Sequence, residues 1–276
     1  MTQACIVQVW VSLLKWRYIM LKVVTFNILC GVYNETPDHE NSKENRAPRL
    51  KAVLAPLEAD LIGLQEARPR WIPYLEEYFG EDYEIFYKER KVDNPESTPM
   101  MWKKSRFDCL DKGYFWLSDT PDVESGGWDT YGCHRIVCWA KLHDKQEDRD
   151  IVFLNTHYGF GDENQVKSSK LIMDHIKLWN LPAFVTADYN MYPASPGYVK
   201  LQEMLTNTNE AFGHDDRNTF HGFHSEPTGY GPIDFCFYTP EHFETVGYRR
   251  LDQLIDGKFP SDHFGVYSEM EYKNHD

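Results

Sequence analysis

Phe184-Val-Thr-Ala-Asp188-Tyr-Asn190 begins as an apolar, strand-like run and ends on an acid and an amide two residues apart. The same pattern recurs outward along the chain. Asn27 sits in Thr25-Phe-Asn-Ile-Leu29, Glu66 follows Asp60-Leu-Ile-Gly-Leu-Gln65, and His157 ends Phe153-Leu-Asn-Thr-His157. Asp234 lies in Pro232-Ile-Asp-Phe235, and Ser261-Asp262-His263 precedes a last apolar segment. Strands buried on both faces need apolar side chains. Polar groups gathered at strand ends therefore mark the rim where a rigid sheet can hold chemistry in place.

Residues 21–30 read as a strand rich in β-branched side chains. Leu50, Val53, Leu54, Leu57 and Leu61 recur at helical spacing and predict a helix over 45–59. A short buried strand at 61–64 and a second helix at 71–79 follow. Strands are predicted at 83–87, 100–103, 114–117, 136–142 and 151–155, with 119–132 as a loop containing Gly126, Gly127 and Trp128. A helix over 163–179 takes Asp162 as N-cap and Gln165 at the capping-box position. A strand at 184–186 comes next, and Ser195-Pro196 opens another helix with its cap and first-turn proline in order. The last third returns to strand at 233–238, 243–248 and 264–272. No repeat, low-complexity tract or Pro/Gly/Ser linker interrupts the alternation, so residues 20–276 are expected to form one domain. Strands in two blocks with helices between them predict an α/β fold of two packed sheets flanked by helices; periodicity leaves the topology open.

The chain has 276 residues, ample for a sizeable core, and its 42% hydrophobic, 26% charged composition is globular rather than disordered. Acids outnumber bases by 43 to 29, for a net charge of -14. Duplex binding draws its affinity from Lys and Arg that neutralise phosphates, so duplex DNA is not expected as a partner, although a local basic patch stays open. The six cysteines, Cys5, Cys30, Cys109, Cys133, Cys138 and Cys236, include no pair at zinc or redox spacing. Read as reduced thiols, they favour the cytoplasm. Residues 4–14 are apolar but short, are interrupted by Gln8, and precede rather than follow Lys15 and Arg17. Neither a signal peptide nor a membrane span is expected there. Residues 1–19 read as an N-terminal extension, with Met20 as the working start.

A hard cation such as Mg²⁺ takes one or two carboxylates and keeps several waters. Glu66, with help from Asn27 and Asp262, could supply such a site, and the ion would polarise a phosphoryl oxygen during in-line displacement. Singly, each residue has a plainer reading. Asn27 could cap a turn, Glu66 could be a surface acid beside Arg68, and His157 could be a satisfied core histidine. Asp188 and Asn190 could close a strand as Asx-turn residues, and Asp262 could cap a turn or helix.

Taken together, the ordered set Asn27, Gln65-Glu66, Asn155-Thr-His157, Asp188-Tyr-Asn190, Ile233-Asp234 and Ser261-Asp262-His263 resembles the endonuclease/exonuclease/phosphatase superfamily over about residues 20–272. Phe115-Trp-Leu-Ser-Asp-Thr-Pro121 and Thr219-Phe-His-Gly-Phe223 resemble a bacterial-type hydrolase subgroup whose substrates are mostly undefined. The resemblance implies a four-layer α/β/β/α sandwich and cleavage of phosphate esters with Mg²⁺ or Mn²⁺. It implies Glu66 as principal metal ligand, with Asn27 and Asp262 near the ion, and Asp188 orienting or deprotonating the attacking water. Asn190 and His157 would hold the phosphate. His263, braced by Asp234, would face it as acid–base or charge stabiliser, since a carboxylate fixes the tautomer of an imidazole and favours its charged form. Whether Asp188 or His263 is the base stays open.

The sequence departs from the family pattern at three positions. Ala187 stands where Gly is usual before the catalytic Asp, and Tyr189 where Phe is usual after it. Pro232 replaces an Arg that often precedes Ile-Asp, which weakens any transfer of nucleic-acid specificity. Arg135, in His134-Arg-Ile-Val137, could touch substrate phosphate or form a plain salt bridge. Trp128 could stack on a sugar or base, or pack its own loop. His221 is a further candidate substrate contact.

The leading expectation is a phosphomono- or phosphodiesterase acting on a small or sugar-containing phosphate. A nuclease or deadenylase is the alternative. A lipid-head-group phosphodiesterase has neither a secretion signal nor an apolar hairpin to support it. A non-catalytic binding module on the same scaffold would be expected to have lost Glu66, Asp188 or His263, and all three are present.

Overall fold

A computed structural model describes residues 20–30, 39–224 and 231–273. The expected extension at 1–19 lies outside them. Two six-stranded mixed sheets pack face to face. The first has the order β11-β12-β1-β2-β4-β3, from β1 (Leu21–Asn27), β2 (Leu61–Gln65), β3 (Tyr83–Phe86), β4 (Met100–Lys103), β11 (Phe243–Leu251) and β12 (Gly265–Tyr272). The second has the order β5-β6-β7-β8-β10-β9, from β5 (Phe107–Trp116), β6 (Ile136–Asp144), β7 (Arg149–His157), β8 (Ala183–Asp188), β9 (Thr206–Asn207) and β10 (Asp234–Tyr238).

Three apolar clusters explain the layers. Val23, Leu61, Trp102, Phe153, Phe184 and Met270 fill the space between the sheets. On the outer face of the first sheet, Val24, Phe26, Ile62 and Leu64 pack against Leu50, Val53 and Leu54 of α1 (Lys43–Leu54) and Ile72, Leu75 and Phe79 of α2 (Ile72–Phe79). On the outer face of the second, Val152, Leu154, Val185 and Phe235 meet Ile172, Met173 and Ile176 of α3 (Asp162–Trp179) and Tyr198 and Leu201 of α4 (Pro196–Gln202). The result is the four-layer α/β/β/α sandwich. Alternate residues of β1 face opposite layers, as the two-residue period of a strand requires.

The register is what builds a site. β1 and β2 run parallel with Asn27 beside Gln65, and β7 and β8 run parallel with His157 beside Asp188. β10 runs antiparallel to β8 and sets Asp234 beside Asp188. One end of both sheets therefore collects the polar residues that terminate these strands. Just beneath it the sheets are joined by polar side chains. The Gln65 amide donates to Asn155 Oδ1 (2.8 Å), Asn155 Nδ2 donates to the carbonyl of Leu64 (2.7 Å), and Thr186 Oγ1 donates to Asn155 Oδ1 (3.0 Å). Gly63 permits this close approach, since a Cβ there would lie 2.0 Å from Thr186 Oγ1.

Several boundaries differ from expectation. The first helix gives way at Ala55–Leu57 to a 3-10 turn. β5 extends back to Phe107 through an exposed, polar stretch at the sheet edge, where pairing with β6 rather than burial sustains the strand. β9 and the short α5 (Thr208–Phe212) carry too little apolar pattern to be read. The cap of α3 is Gly161 rather than Asp162. Asp162 and Glu163 lie in its first turn, where acids complement the helix dipole. Gln165 makes no capping box; its amide donates to the carbonyl of Asn190 (2.8 Å) and steadies the exit of β8.

Candidate active site

A cavity of about 740 Å³ opens at the polar end of the sheets. Glu66, His157, Asp188, Asn190, Asp262 and His263 line it, while Asn27 and Asp234 are fully buried behind them. Glu66 and Asn190 carry positive φ angles of 62° and 48°. Non-glycine residues in this region are uncommon and gather at functional sites, here at the two strand exits that turn side chains into the cavity.

Asp188 is the hub. Its Oδ2 accepts from the Asn27 amide (2.9 Å) and lies 3.5 Å from His157 Nε2 and 3.8 Å from His263 Nε2. Its Oδ1 accepts from the backbone N–H of Asn190 (2.9 Å). The Asn190 amide pairs with His157 Nε2 (3.0 Å) and donates to the Tyr158 carbonyl (3.0 Å). His263 Nδ1 pairs with Asp234 Oδ2 at 2.9 Å, which leaves Nε2 as the ring atom directed toward Asp188. Burial works against a charged His263 imidazole. Asp234, Asp188 and Asp262 outweigh it and hold the ring well above the usual histidine range.

Glu66 accepts from the Asn27 amide (3.1 Å) and from the backbone N–H of Cys30 (3.1 Å). Burial opposes its ionisation, but the nearby His157, the Asn27 amide and His263 hold it ionised, at about 2. Burial followed by the charge of Glu66 pushes Asp262 up despite His263 and Arg46. Two carboxylates crowded into a polar cavity form the hard-oxygen donor chemistry that suits Mg²⁺ or Mn²⁺. A bound cation would also favour the charged form of Asp262. Asn27 departs from the expected ligand role. Its oxygen accepts from the N–H of Leu29 (3.0 Å), so it turns its NH₂ group, not its oxygen, toward Glu66 and Asp188.

Residues 24–263 match the model of the Endonuclease/Exonuclease/phosphatase family. The chain belongs to that family. Among solved structures it is similar to a family protein from Bacteroides vulgatus, at 27% identity over 92% of this chain and 99% of the other, with a TM-score of 0.83. A family protein from Bacteroides thetaiotaomicron gives 25% identity over 92% and 98%, with a TM-score of 0.85. The mannosyl-6-phosphatase Bt3783 of Bacteroides thetaiotaomicron gives 25% over 91% and 99%, with a TM-score of 0.78. Two uncharacterized proteins of Acanthamoeba polyphaga mimivirus match at 26% and 24% identity, over 56% and 87% of this chain. The chain spans 60% and 41% of the lengths of those two relatives.

Within this family member, three expected substrate contacts diverge. Arg135 is buried and lines the cavity. Trp128 does not line it. Its indole N–H donates to Asp119 Oδ2 (3.0 Å), and Lys167 sits 5.3 Å over its ring, so it packs its own loop. His221 does not reach the cavity either. It is fully buried between Phe259 and Phe264, with ring centroids 4.2 Å from each, and burial lowers it to about 4. Its role is local: the backbone N–H groups of His221 and Gly222 both donate to the carbonyl of Asp262 (2.9 and 3.1 Å).

Other contributors carried no sequence signal. Arg46, buried in α1 with its guanidinium 5.0 Å from the centre of the Trp71 ring, donates to the carbonyls of Ile28, Leu29 (3.0 Å) and Pro260 (3.4 Å). It thereby ties the exit of β1 to the segment before Asp262. An arginine within an amphipathic helix reads as a solvated face, and only the tertiary structure turns it inward. Arg68, Arg90 and Glu96 also line the cavity, from loops where the strand-end pattern has no purchase. Among the described residues no helix is long and apolar enough to cross a membrane.

Proposed function

We propose that this chain is a divalent-metal-dependent phosphoesterase that hydrolyses a small or sugar-containing phosphate ester. The observation that carries the reading is the setting of Asp188. Its carboxylate lies at the cavity floor between His157 and His263, next to the Glu66 carboxylate. Glu66 and Asp262 would hold the Mg²⁺ or Mn²⁺, which when bound supplies charge neutralisation at a phosphoryl oxygen. Asn27 acts by orienting both Glu66 and Asp188. Asp188, an acceptor whose two oxygens are fixed by Asn27 and Asn190, orients the attacking water and takes its proton. His263 keeps Nδ1 on Asp234 and directs Nε2 at the phosphate, where a protonated ring stabilises developing negative charge. Asn190 and His157 would hold the remaining phosphate oxygens.

The finite cavity and the -14 net charge favour a compact anion over a polyanionic backbone. The likeness to a mannosyl-6-phosphatase, at 25% identity, points the same way. Solved structures at 14–17% identity, such as TDP2 of D. rerio and human nocturnin, share the fold alone. The test is a panel of hexose phosphates, a generic phosphomonoester, a generic phosphodiester, RNA and abasic duplex DNA, each with Mg²⁺, Mn²⁺ or excess EDTA. The expected result is metal-dependent turnover, fastest on a sugar phosphate. Full activity in EDTA would sink the metal assignment. Sub-micromolar duplex binding with a steep salt slope and efficient nicking would replace this substrate class with nucleic acid.

A further inference from the structure

Resting on the phosphoesterase reading, we infer that one wall of the cavity binds a second anionic group of the substrate, a phosphate or carboxylate distinct from the phosphate being cleaved. Three arginines, Arg68, Arg90 and Arg135, line that wall around a single carboxylate, Glu96. Glu96 Oε1 accepts from Arg90 at 2.6 Å. His157 Nδ1 also lies 3.5 Å from that oxygen. Arg135 NH1 is left 3.9 Å from it, and Arg135 Nε is 3.8 Å from Asp129, both too long for hydrogen bonds. Among the described residues, these two buried Arg135 nitrogens have no hydrogen-bond partner, and neither has Nε of Arg68, whose NH2 donates to Asn94 (3.1 Å).

Buried donors normally find partners, and each one left unmatched is destabilising. Three guanidiniums against the carboxylates of Glu96 and Asp129 leave an excess of one positive charge in a chain that is otherwise strongly acidic. A planar group with several acceptor oxygens answers both the charge and the vacant N–H groups, and arginine forks suit carboxylate and phosphate for that reason.

The group is not the phosphate held by His157, Asn190 and His263. Those side chains hang from the ends of β7, β8 and the segment entering β12. The arginines come from the exit of β2, the loop between β3 and β4, and the residue that precedes β6. The two sets are still within reach of one ligand. The Glu96 carboxylate and Glu66 belong to a cluster whose ligand atoms lie within 4.8 Å of one another, and the cavity has the volume of a drug-sized ligand.

The test compares matched probes that differ by one anionic group: glucose 1,6-bisphosphate against glucose 6-phosphate, and 6-phosphogluconate against glucose 6-phosphate. Each is assayed as kcat/KM with Mg²⁺ and Mn²⁺, and by calorimetric binding in EDTA, where turnover does not consume the ligand. The wild-type chain should favour at least one doubly anionic probe by roughly tenfold or more, and the pair that shows it identifies phosphate or carboxylate. Arg68→Gln and Arg135→Gln should each remove roughly ten- to hundredfold from the doubly anionic probe beyond whatever they remove from glucose 6-phosphate, mainly through KM, as expected for lost uniform binding. Arg68 is only half-buried, so its variant keeps the test alive if Arg135→Gln folds poorly. Equal losses on singly and doubly charged probes, or a wild type with no preference in kcat/KM and in binding, would overturn the inference. If no ester is turned over with either metal, the phosphoesterase reading fails, while the binding arm still tests the arginine wall.

Discussion

At the end of the sandwich where β1 and β2 begin, Arg106 commits its whole guanidinium to protein. Nε and NH2 fork onto Asp144 (2.7–3.1 Å), and NH1 donates to Asp60 (3.0 Å) and to the Met20 carbonyl (2.8 Å). The acids are equally occupied, since Asp60 also accepts from the N–H of Lys22 (2.9 Å) and Asp144 from the Tyr272 hydroxyl (2.9 Å). At the opposite end, where the same strands finish, Arg135 is just as buried, yet two of its nitrogens have no partner. His157 Nδ1 and Asp234 Oδ1 are unmatched there as well. One chain thus builds two buried charge clusters by different rules. The closed one holds the sheets together; the open one keeps hydrogen-bonding capacity for something that is not protein. Saturation of the polar atoms, more than burial or charge, separates structural polarity from functional polarity.

The largest expected effect falls on the closed cluster. Arg106→Met would leave Asp60 and Asp144 buried without their cation, and breaking a buried pair in this way is destabilising by about 3–5 kcal/mol. Urea denaturation should register that loss, while kcat per folded molecule stays near normal. A loss of turnover in the folded fraction would mean that the two ends are coupled.

Next in size come Asp188→Asn and His263→Ala. A positioned acid or base contributes at least ~10²-fold to turnover, so each variant should lose that much. Both should still fold, because both groups line the cavity, where water can replace a lost partner. Near-normal turnover in both would refute the proposed roles. Glu66→Gln should come third. It keeps the shape of the ligand but removes its charge, so the Mg²⁺ or Mn²⁺ concentration for half-maximal activity should rise roughly tenfold or more, on the scale by which metal sites respond to altered ligation. An unchanged metal requirement would move the ion elsewhere.

The difference between the two ends also marks how much was legible in the sequence. Strand ends are visible because an apolar run meets a polar residue, and so Glu66, His157, Asp188 and Asp234 stand out as candidates. Cβ direction and loop path are not visible. Trp128 and His221 sit in conspicuous stretches, but the indole turns onto Asp119 and the imidazole slides between Phe259 and Phe264. Asn27 is legible as a candidate, but the direction of its amide is not, because its orientation depends on the backbone N–H of Leu29. Arg106 and Asp144 gave no signal either. A lone arginine in a turn and an acid at a strand end look solvated until the pairing of β5 with β6 brings them within 3.0 Å.

The smallest expected effect is the sharpest test of the comparison. Arg135→Met exchanges one long side chain for another in a buried position, and it removes a charge that no hydrogen bond among the described residues satisfies. The acids nearest to Arg135 do not depend on it. Glu96 keeps Arg90, and Asp129 keeps the backbone N–H groups of Tyr131 (2.7 Å), Cys133 (3.2 Å) and Phe160 (2.9 Å). No carboxylate loses a hydrogen bond, whereas Arg106→Met removes hydrogen bonds from two. Replacing an unmatched buried polar group with an apolar one of similar shape is near neutral or stabilising. The unfolding free energy in urea should therefore shift by about 1 kcal/mol or less, in either direction, with metal and phosphate absent. A loss of the size expected for Arg106→Met would show that Arg135 is a structural residue whose long contacts to Glu96 and Asp129 are real ion pairs. The open cluster would then be closed after all, and its vacant N–H groups would no longer argue for a ligand.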